Sequence, residues 1–97
     1  MAALTDRDID QALVKLPGWR RDGKVLTKTF DRQSFRASMA LVNTVGEIAE
    51  RADHHPDMLI EYSKVTFRLW THSAGGVTDK DLTLARQIET VAAPEPP

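Results

Sequence analysis

The sequence predicts a two-layer α+β domain in which helices pack on one face of an antiparallel four-stranded sheet, in the order α-β-β-α-β-β-α. Three segments carry apolar residues at helical spacing, and two pairs of short runs rich in β-branched and aromatic residues lie between them. Each pair has a turn signal at its centre, which favours two antiparallel hairpins over a parallel sheet.

The first predicted helix covers residues 6–16 and begins after Thr5, whose hydroxyl can cap it, with a carboxylate three residues later as in a capping box. Pro17-Gly18 ends this helix. A hairpin then covers residues 18–30, with Asp22-Gly23 as the two central residues of a type I′ turn.

The longest predicted helix covers residues 31–52, with Asp31 as its cap. Its apolar stripe contains Phe35, Met39, Val42, Val45 and Ala49, widened by Leu41 and Ile48. The helix has to end before Pro56, because proline pushes the preceding residue out of the helical region. We therefore expect His54 and His55 at or just beyond its C-terminus.

The second predicted hairpin pairs residues 57–60 with residues 65–71 across a turn at 62–64. Alternation along the second strand places Trp70 and His72 on one face and directs the other set to the core, namely Val65, Phe67, Leu69 and Thr71. After a loop at 73–76, Thr78 and Asp81 have the spacing of a second capping box, which predicts the start of a helix. The residues predicted to face inward on this helix are Leu84, Ala85, Ile88 and Val91.

The 97 residues suffice for one core, so we expect a single domain over 1–97 with residues 1–4 and 93–97 frayed. Thirteen basic and 14 acidic side chains give a net charge of −1, which offers no electrostatic signature for direct binding to nucleic acid or a membrane surface. The absence of cysteine excludes disulfides, thiolate catalysis and zinc–thiolate sites. The start lacks the layout of a signal peptide, and no apolar run reaches the ~20 residues of a membrane span, so we expect a cytoplasmic location.

The three histidines of the chain form the strongest candidate site. His54 and His55 are adjacent, and the second hairpin can bring His72 back towards them. Imidazole titrates near neutral pH, so such a cluster favours general acid–base catalysis. The alternative is a trihistidine zinc site with an open coordination position, in which Glu50 or Asp81 supports the ligands from behind.

The chain contains the pattern Glu50-x3-His54-His55-Pro56-x5-Tyr62-x9-His72-x8-Asp81, with Gly18-Trp19 ahead of the first strand. This spacing resembles the signature of the pterin-4a-carbinolamine dehydratases, and the resemblance extends over residues 5–92. It implies dehydration of 4a-hydroxytetrahydrobiopterin to quinonoid dihydropterin and water, which recycles the cofactor of aromatic amino-acid hydroxylases. The pterin is then the substrate, no metal or other cofactor is required, and the family forms homodimers or homotetramers.

Transferred residue by residue, the resemblance implies that His54, His55 and His72 are the acid–base set. We expect His55 and His72 to be the proton-transfer pair and His54 mainly to orient the pterin, a division that the sequence alone does not fix. The implied substrate-binding positions are Pro56, Thr71, Ser73, Ala74, Trp19, Glu50 and Asp81. We expect an extended segment at residues 71–74 to pair its backbone with the edge of the ring. Glu50 is expected to hold an imidazole, and Asp81 to tune His72.

Two other roles remain open. Some members of the family also act as dimerisation cofactors of a transcription factor through a helix surface. Unburied apolar residues on the long helix, for example Leu41 or Val45, would favour that role. The same fold could also support a different pterin-dependent enzyme, such as one that uses molybdopterin.

Overall fold

The structure, a computed structural model, describes residues 2–92. Four antiparallel strands form one sheet in the order β1-β2-β4-β3, and the helices pack on one face of it. The elements are α1 (Asp6–Leu13), β1 (Arg20–Asp22), β2 (Val25–Asp31), α2 (Phe35–Ala52), β3 (Asp57–Glu61), β4 (Lys64–Leu69), a 3₁₀ turn (His72–Ala74) and α3 (Asp79–Ala92). The predicted fold class and element order are confirmed.

The first helix starts where its cap predicts. The Thr5 hydroxyl accepts from the Asp8 N–H at 3.1 Å, and the Asp8 carboxylate accepts from the Thr5 N–H at 3.4 Å. The helix ends at Leu13 rather than at residue 16. In the hairpin that follows, the two-residue turn is Gly23-Lys24 and not Asp22-Gly23, because the sheet register pairs Asp22 with Val25. Only Gly23 has a positive φ, of 60°, which fits a type II′ turn instead of type I′.

The start of the long helix differs from the prediction. β2 continues to Asp31, which pairs with Lys64 of β4, so Asp31 lies in the sheet and cannot cap a helix. Ser34 is the cap instead, and its hydroxyl accepts from the Ala37 N–H at 3.1 Å. Phe35 stands at the first position of α2 and is half exposed, so it is not part of the buried stripe.

The buried stripe of α2 is Ser38, Leu41, Val45 and Ala49. Met39 and Val42 lie at its edges and are only partly buried. Leu41 and Val45 belong to the core cluster, so neither is the unburied residue that would favour the dimerisation-cofactor role.

The second hairpin turns at Tyr62-Ser63, and β4 directs Val65, Phe67 and Leu69 to the core as predicted. The regular strand ends at Leu69 rather than at residue 71. Thr71 remains buried and bridges to Gly76, and the chain between them forms the 3₁₀ turn. The expected extended segment at residues 71–74 is therefore wrong beyond Thr71.

The core lies between the sheet and the helices. It joins Ile9 of α1, Leu41 and Val45 of α2, and Leu84 and Ile88 of α3 to the inner face of the strands. Val91 is partly exposed, and Leu82 is buried in addition to the predicted inward residues of α3. Near the N-terminus, where fraying was expected, the Leu4 N–H donates to the Val77 carbonyl at 2.8 Å. Residues 93–97 lie outside the described part of the chain. No helix within residues 2–92 is long and apolar enough to cross a membrane.

Candidate active site

A cleft of about 510 Å³ opens where the end of α2, the start of β3, the chain after β4 and the first turn of α3 meet. All three histidines line it. The complete lining is Asp53, His54, His55, Pro56, Asp57, Trp70, Thr71, His72, Ser73 and Lys80. Its volume falls within the range of small-molecule sites, about 300–1,000 Å³.

The end of α2 delivers His54 and His55 to this cleft. The Asp53 N–H donates to the Glu50 carbonyl at 3.2 Å, and the His54 N–H donates to the Ala49 carbonyl at 3.1 Å. This pair of bonds is the Schellman arrangement that closes many helices. Asp53 takes the left-handed conformation it requires, with φ 49°, which Asp tolerates better than most non-glycine residues. The sharp turn at Asp53 directs the following residues off the helix and into the cleft.

His54 is anchored from behind by a buried carboxylate. Its Nε2 lies 2.5 Å from Oδ1 of Asp81, whose side chain is 0% exposed, while the His54 side chain is 12% exposed. The second oxygen, Oδ2, accepts from the Thr71 hydroxyl and from the Thr78 N–H, each at 2.9 Å. The Thr71 hydroxyl also lies 2.7 Å from that of Thr78. Asp81 therefore contacts His54, and it has no hydrogen bond with His72, the ring it was expected to tune.

His55 has a carboxylate partner of a different kind. Its Nε2 lies 2.6 Å from Oε1 of Glu50, but both side chains are largely in solvent, at 54% and 73% exposed. Glu50 holds an imidazole, as predicted, and that imidazole is His55. Because the pair is exposed, solvent and mobile ions weaken its mutual attraction.

His72 is held by stacking. Its ring centroid lies 4.0 Å from that of Trp70, with an angle of 33° between the two planes. Within residues 2–92, neither ring nitrogen of His72 has a hydrogen-bond partner. The ring is exposed at the first position of the 3₁₀ turn and keeps both nitrogens available to a molecule in the cleft.

The predicted substrate-binding positions divide into two groups. Pro56, Thr71 and Ser73 line the cleft, whereas Ala74 lies beside it in the 3₁₀ turn without lining it. Trp19 is in the core, where its indole N–H donates to Glu89 at 2.8 Å and its ring packs edge-on against Phe30. Trp19 therefore supports the fold and does not line the cleft. Tyr62, part of the sequence signature, is exposed in the β3–β4 turn.

Sequence reasoning missed three charged residues of the lining. Asp53 and Asp57 flank the two adjacent histidines, and Lys80 reaches the cleft from the first turn of α3. Proximity in sequence to the histidine pair could have identified the two aspartates. No local signal marks Lys80, because its position depends on how α3 packs against the end of α2.

The histidines do not form a preorganised metal site here. In the described part of the chain, no group of three or more His, Asp or Glu side chains has the arrangement needed to hold a metal ion. The arrangement is instead that of separate imidazoles around one cleft, each with its own support.

Comparisons of sequence point to one family. A sequence model described as pterin 4 alpha carbinolamine dehydratase matches residues 2–91. A relative from Thermomicrobium roseum, provisionally named pterin-4-alpha-carbinolamine dehydratase, is 46% identical over 93 residues, which cover 96% of this chain and 100% of the relative. A relative from Nocardia farcinica with the same provisional name is 52% identical over 89 residues, which cover 92% and 94%.

Two solved structures share the fold. A transcriptional coactivator/pterin dehydratase from Brucella melitensis matches with a TM-score of 0.90 at 31% identity and covers 94% of this chain and 99% of its own. A pterin dehydratase-like protein identified as a RuBisCO assembly factor in the alpha-carboxysome matches with a TM-score of 0.68 at 20% identity, covering 80% and 93%. This second likeness concerns the fold alone.

Proposed function

The chain belongs to the pterin-4a-carbinolamine dehydratase family, and from this premise we propose that it removes water from a 4a-hydroxytetrahydropterin such as 4a-hydroxytetrahydrobiopterin. The product is the quinonoid dihydropterin, which a reductase returns to the tetrahydropterin used by aromatic amino-acid hydroxylases. The chain would thus act as a hydro-lyase in pterin recycling. Self-association as a homodimer or homotetramer and a cytoplasmic location stay predictions of the family resemblance and the sequence.

The proposed reaction is an elimination that moves two protons. The bond from C4a to the hydroxyl oxygen breaks, and the departing hydroxide takes a proton to become water. N5 loses its proton, and the electron pair of that N–H bond forms the C4a–N5 double bond. No electrons are gained or lost overall, so the reaction requires a proton donor and a proton acceptor and no oxidant.

The observation that carries the proposal is that three imidazoles line one cleft of a size suited to a small molecule. Histidine can donate or accept a proton near neutral pH. A catalytic group placed in this way contributes about 10²–10⁴-fold in rate. The three rings have different neighbours, a buried carboxylate, an exposed carboxylate and an indole, so they are not equivalent, as a reaction with one proton donor and one proton acceptor requires.

The test is stopped-flow dehydration of synthetic 4a-hydroxytetrahydrobiopterin by the wild type and by His72→Ala, each with and without a chelator. His72 is exposed, so the variant should fold, which circular dichroism checks. We expect turnover that survives the chelator and falls by about 10²-fold or more in the variant. The matched control is Lys24→Ala, an exposed residue in the β1–β2 turn away from the cleft, which should react at the wild-type rate.

Two results would contradict the proposal. Loss of turnover on chelation would assign the histidines to a metal. The absence of turnover in folded wild-type protein would show that the family fold serves another role in this chain, such as protein binding or support of a molybdopterin enzyme.

A further inference from the structure

We propose that Asp81 is a positioning residue that fixes His54 as the tautomer protonated at Nε2, so that Nδ1 of His54 is the base that accepts the N5 proton of the pterin. The tautomer assignment stands on the hydrogen bonds around Asp81, and the role of the base rests on the proposed function. The assignment changes the expectation that His54 only orients the substrate.

The hydrogen bonds around Asp81 determine where its protons lie. Oδ2 accepts from the backbone N–H of Thr78, which can only donate, and from the Thr71 hydroxyl. Thr71 has one hydroxyl hydrogen, so its second contact, at 2.7 Å, must be one in which the Thr78 hydroxyl donates to it. The Thr78 oxygen in turn accepts from the Lys80 N–H at 3.3 Å. Each hydroxyl in this chain thus donates towards Asp81, and Oδ2 acts as an acceptor for two hydrogen bonds.

The proton between Oδ1 and His54 then belongs to the ring. Oδ2 already accepts two hydrogen bonds, so the carboxylate presents Oδ1 to the ring as a further acceptor, and a ring nitrogen 2.5 Å from that oxygen needs a hydrogen between them. His54 Nε2 consequently donates to Asp81. In the neutral ring the single lone pair is at Nδ1, which has no hydrogen-bond partner among residues 2–92.

This arrangement suits a proton acceptor. When Nδ1 takes the N5 proton, the resulting imidazolium is adjacent to a buried carboxylate that stabilises its charge, the role an aspartate plays behind a catalytic histidine in hydrolases. The departing hydroxide takes its proton from His55 or His72, whose rings also line the cleft. After product release, solvent returns the proton from His54 to the donor ring, which completes the cycle without another reactant.

Asp81→Asn tests the tautomer directly. Two donors face the Oδ2 position, so the amide oxygen should occupy it and the amide NH₂ should face His54. An NH₂ group donates, so Nε2 of His54 must become the acceptor and the ring proton must move to Nδ1. The base is then blocked, and we expect kcat to fall by about 10²–10⁴-fold with KM changed by less than about threefold.

Nitrogen NMR of the histidine rings in ¹⁵N-labelled protein provides a readout that a purely structural role would not change. We expect Nε2–H at His54 in the wild type and Nδ1–H in Asp81→Asn, with the signals assigned by their loss in His54→Gln. Asp79→Asn is the matched control, because it changes an exposed carboxylate in the same turn of α3 that has no hydrogen bond with His54. It should retain the wild-type tautomer and kcat.

Wild-type His54 protonated at Nδ1 would overturn the proposal, as would an Asp81→Asn variant with kcat within about threefold of wild type. The wild-type spectrum needs neither substrate nor a stable variant, so it decides the tautomer even if Asp81→Asn does not fold. A wild type with the Nε2–H tautomer but no dehydration would refute the proposed function and the role of His54 as its base, while the positioning by Asp81 would stand.

Discussion

Replacing Asp81 with alanine should destabilise the fold far more than replacing Glu50, although each carboxylate pairs with a histidine at the same cleft. Asp81 is fully buried and accepts from three donors, on His54, Thr71 and Thr78. A buried donor left without an acceptor costs about 1–3 kcal/mol. A water molecule entering the vacated space can accept from some of the three donors and offsets part of their combined cost. We therefore expect the free energy of unfolding to fall by about 3–5 kcal/mol, as when one partner of a buried pair is removed.

The exposed pair of Glu50 and His55 provides the reference for the loss of stability expected at the buried pair. Glu50 and His55 are both more than half in solvent, and we expect Glu50→Ala to lower the free energy of unfolding by no more than about 1 kcal/mol. Asp79→Ala measures the effect of removing an acidic residue from the first turn of α3. The change in unfolding free energy that it causes is subtracted from the change caused by Asp81→Ala.

Urea denaturation at one fixed protein concentration measures all three variants, with tryptophan fluorescence and circular dichroism as independent probes of a two-state transition. A fixed concentration is needed because any self-association would add to the apparent stability. If the corrected loss for Asp81→Ala is below about 1 kcal/mol and equals that of Glu50→Ala, the buried network does not hold the site together and the reasoning fails.

Two further predictions concern the cleft and α2. Trp70→Ala removes the ring stacked on His72. Because such an aromatic pair contributes about 0.5–1.5 kcal/mol, steady-state kcat/KM should fall by about 2- to 13-fold. An unchanged kcat/KM would show that the stacking does not orient His72. Gly46→Ala adds a Cβ with nothing within 4 Å in the chain, so thermal denaturation should show a gain of about 1 kcal/mol in stability from helix propensity. A loss would instead reveal a second chain packed against α2 at this position.

Interactions between near neighbours in sequence were predictable. The cap at Thr5 is formed with a residue three positions away, and the alternation along β4 depends on the strand alone. The start of α2 was predicted incorrectly because Asp31 and Ser34 are both good caps. Pairing of β2 with β4 up to Asp31 leaves only Ser34 available, and that pairing is a contact across the sheet which no local pattern encodes.

In the candidate site, too, the local features could be predicted and the contacts between distant segments could not. Adjacent histidines before a proline, and a third brought back by a hairpin, could be expected to gather, and all three line the cleft. The partner of Asp81 could not be inferred, because 27 residues separate it from His54 and their contact depends on the packing of α3 against α2. Trp19 was predicted to lie at the substrate site but is buried in the core, because an aromatic residue beside a strand suits a pocket and a core equally well.

The proposed elimination needs one imidazole that gives a proton and another that takes one, and three identical side chains do not provide that difference by themselves. The fold creates it through their surroundings. α3 supplies His54 with a buried carboxylate that fixes its tautomer, α2 supplies His55 with an exposed carboxylate, and the chain after β4 supplies His72 with an indole and no hydrogen bond within residues 2–92. Because only His54 among the three rings is paired with a buried carboxylate, the proposed mechanism assigns the accepted proton to His54 and the donated proton to His55 or His72.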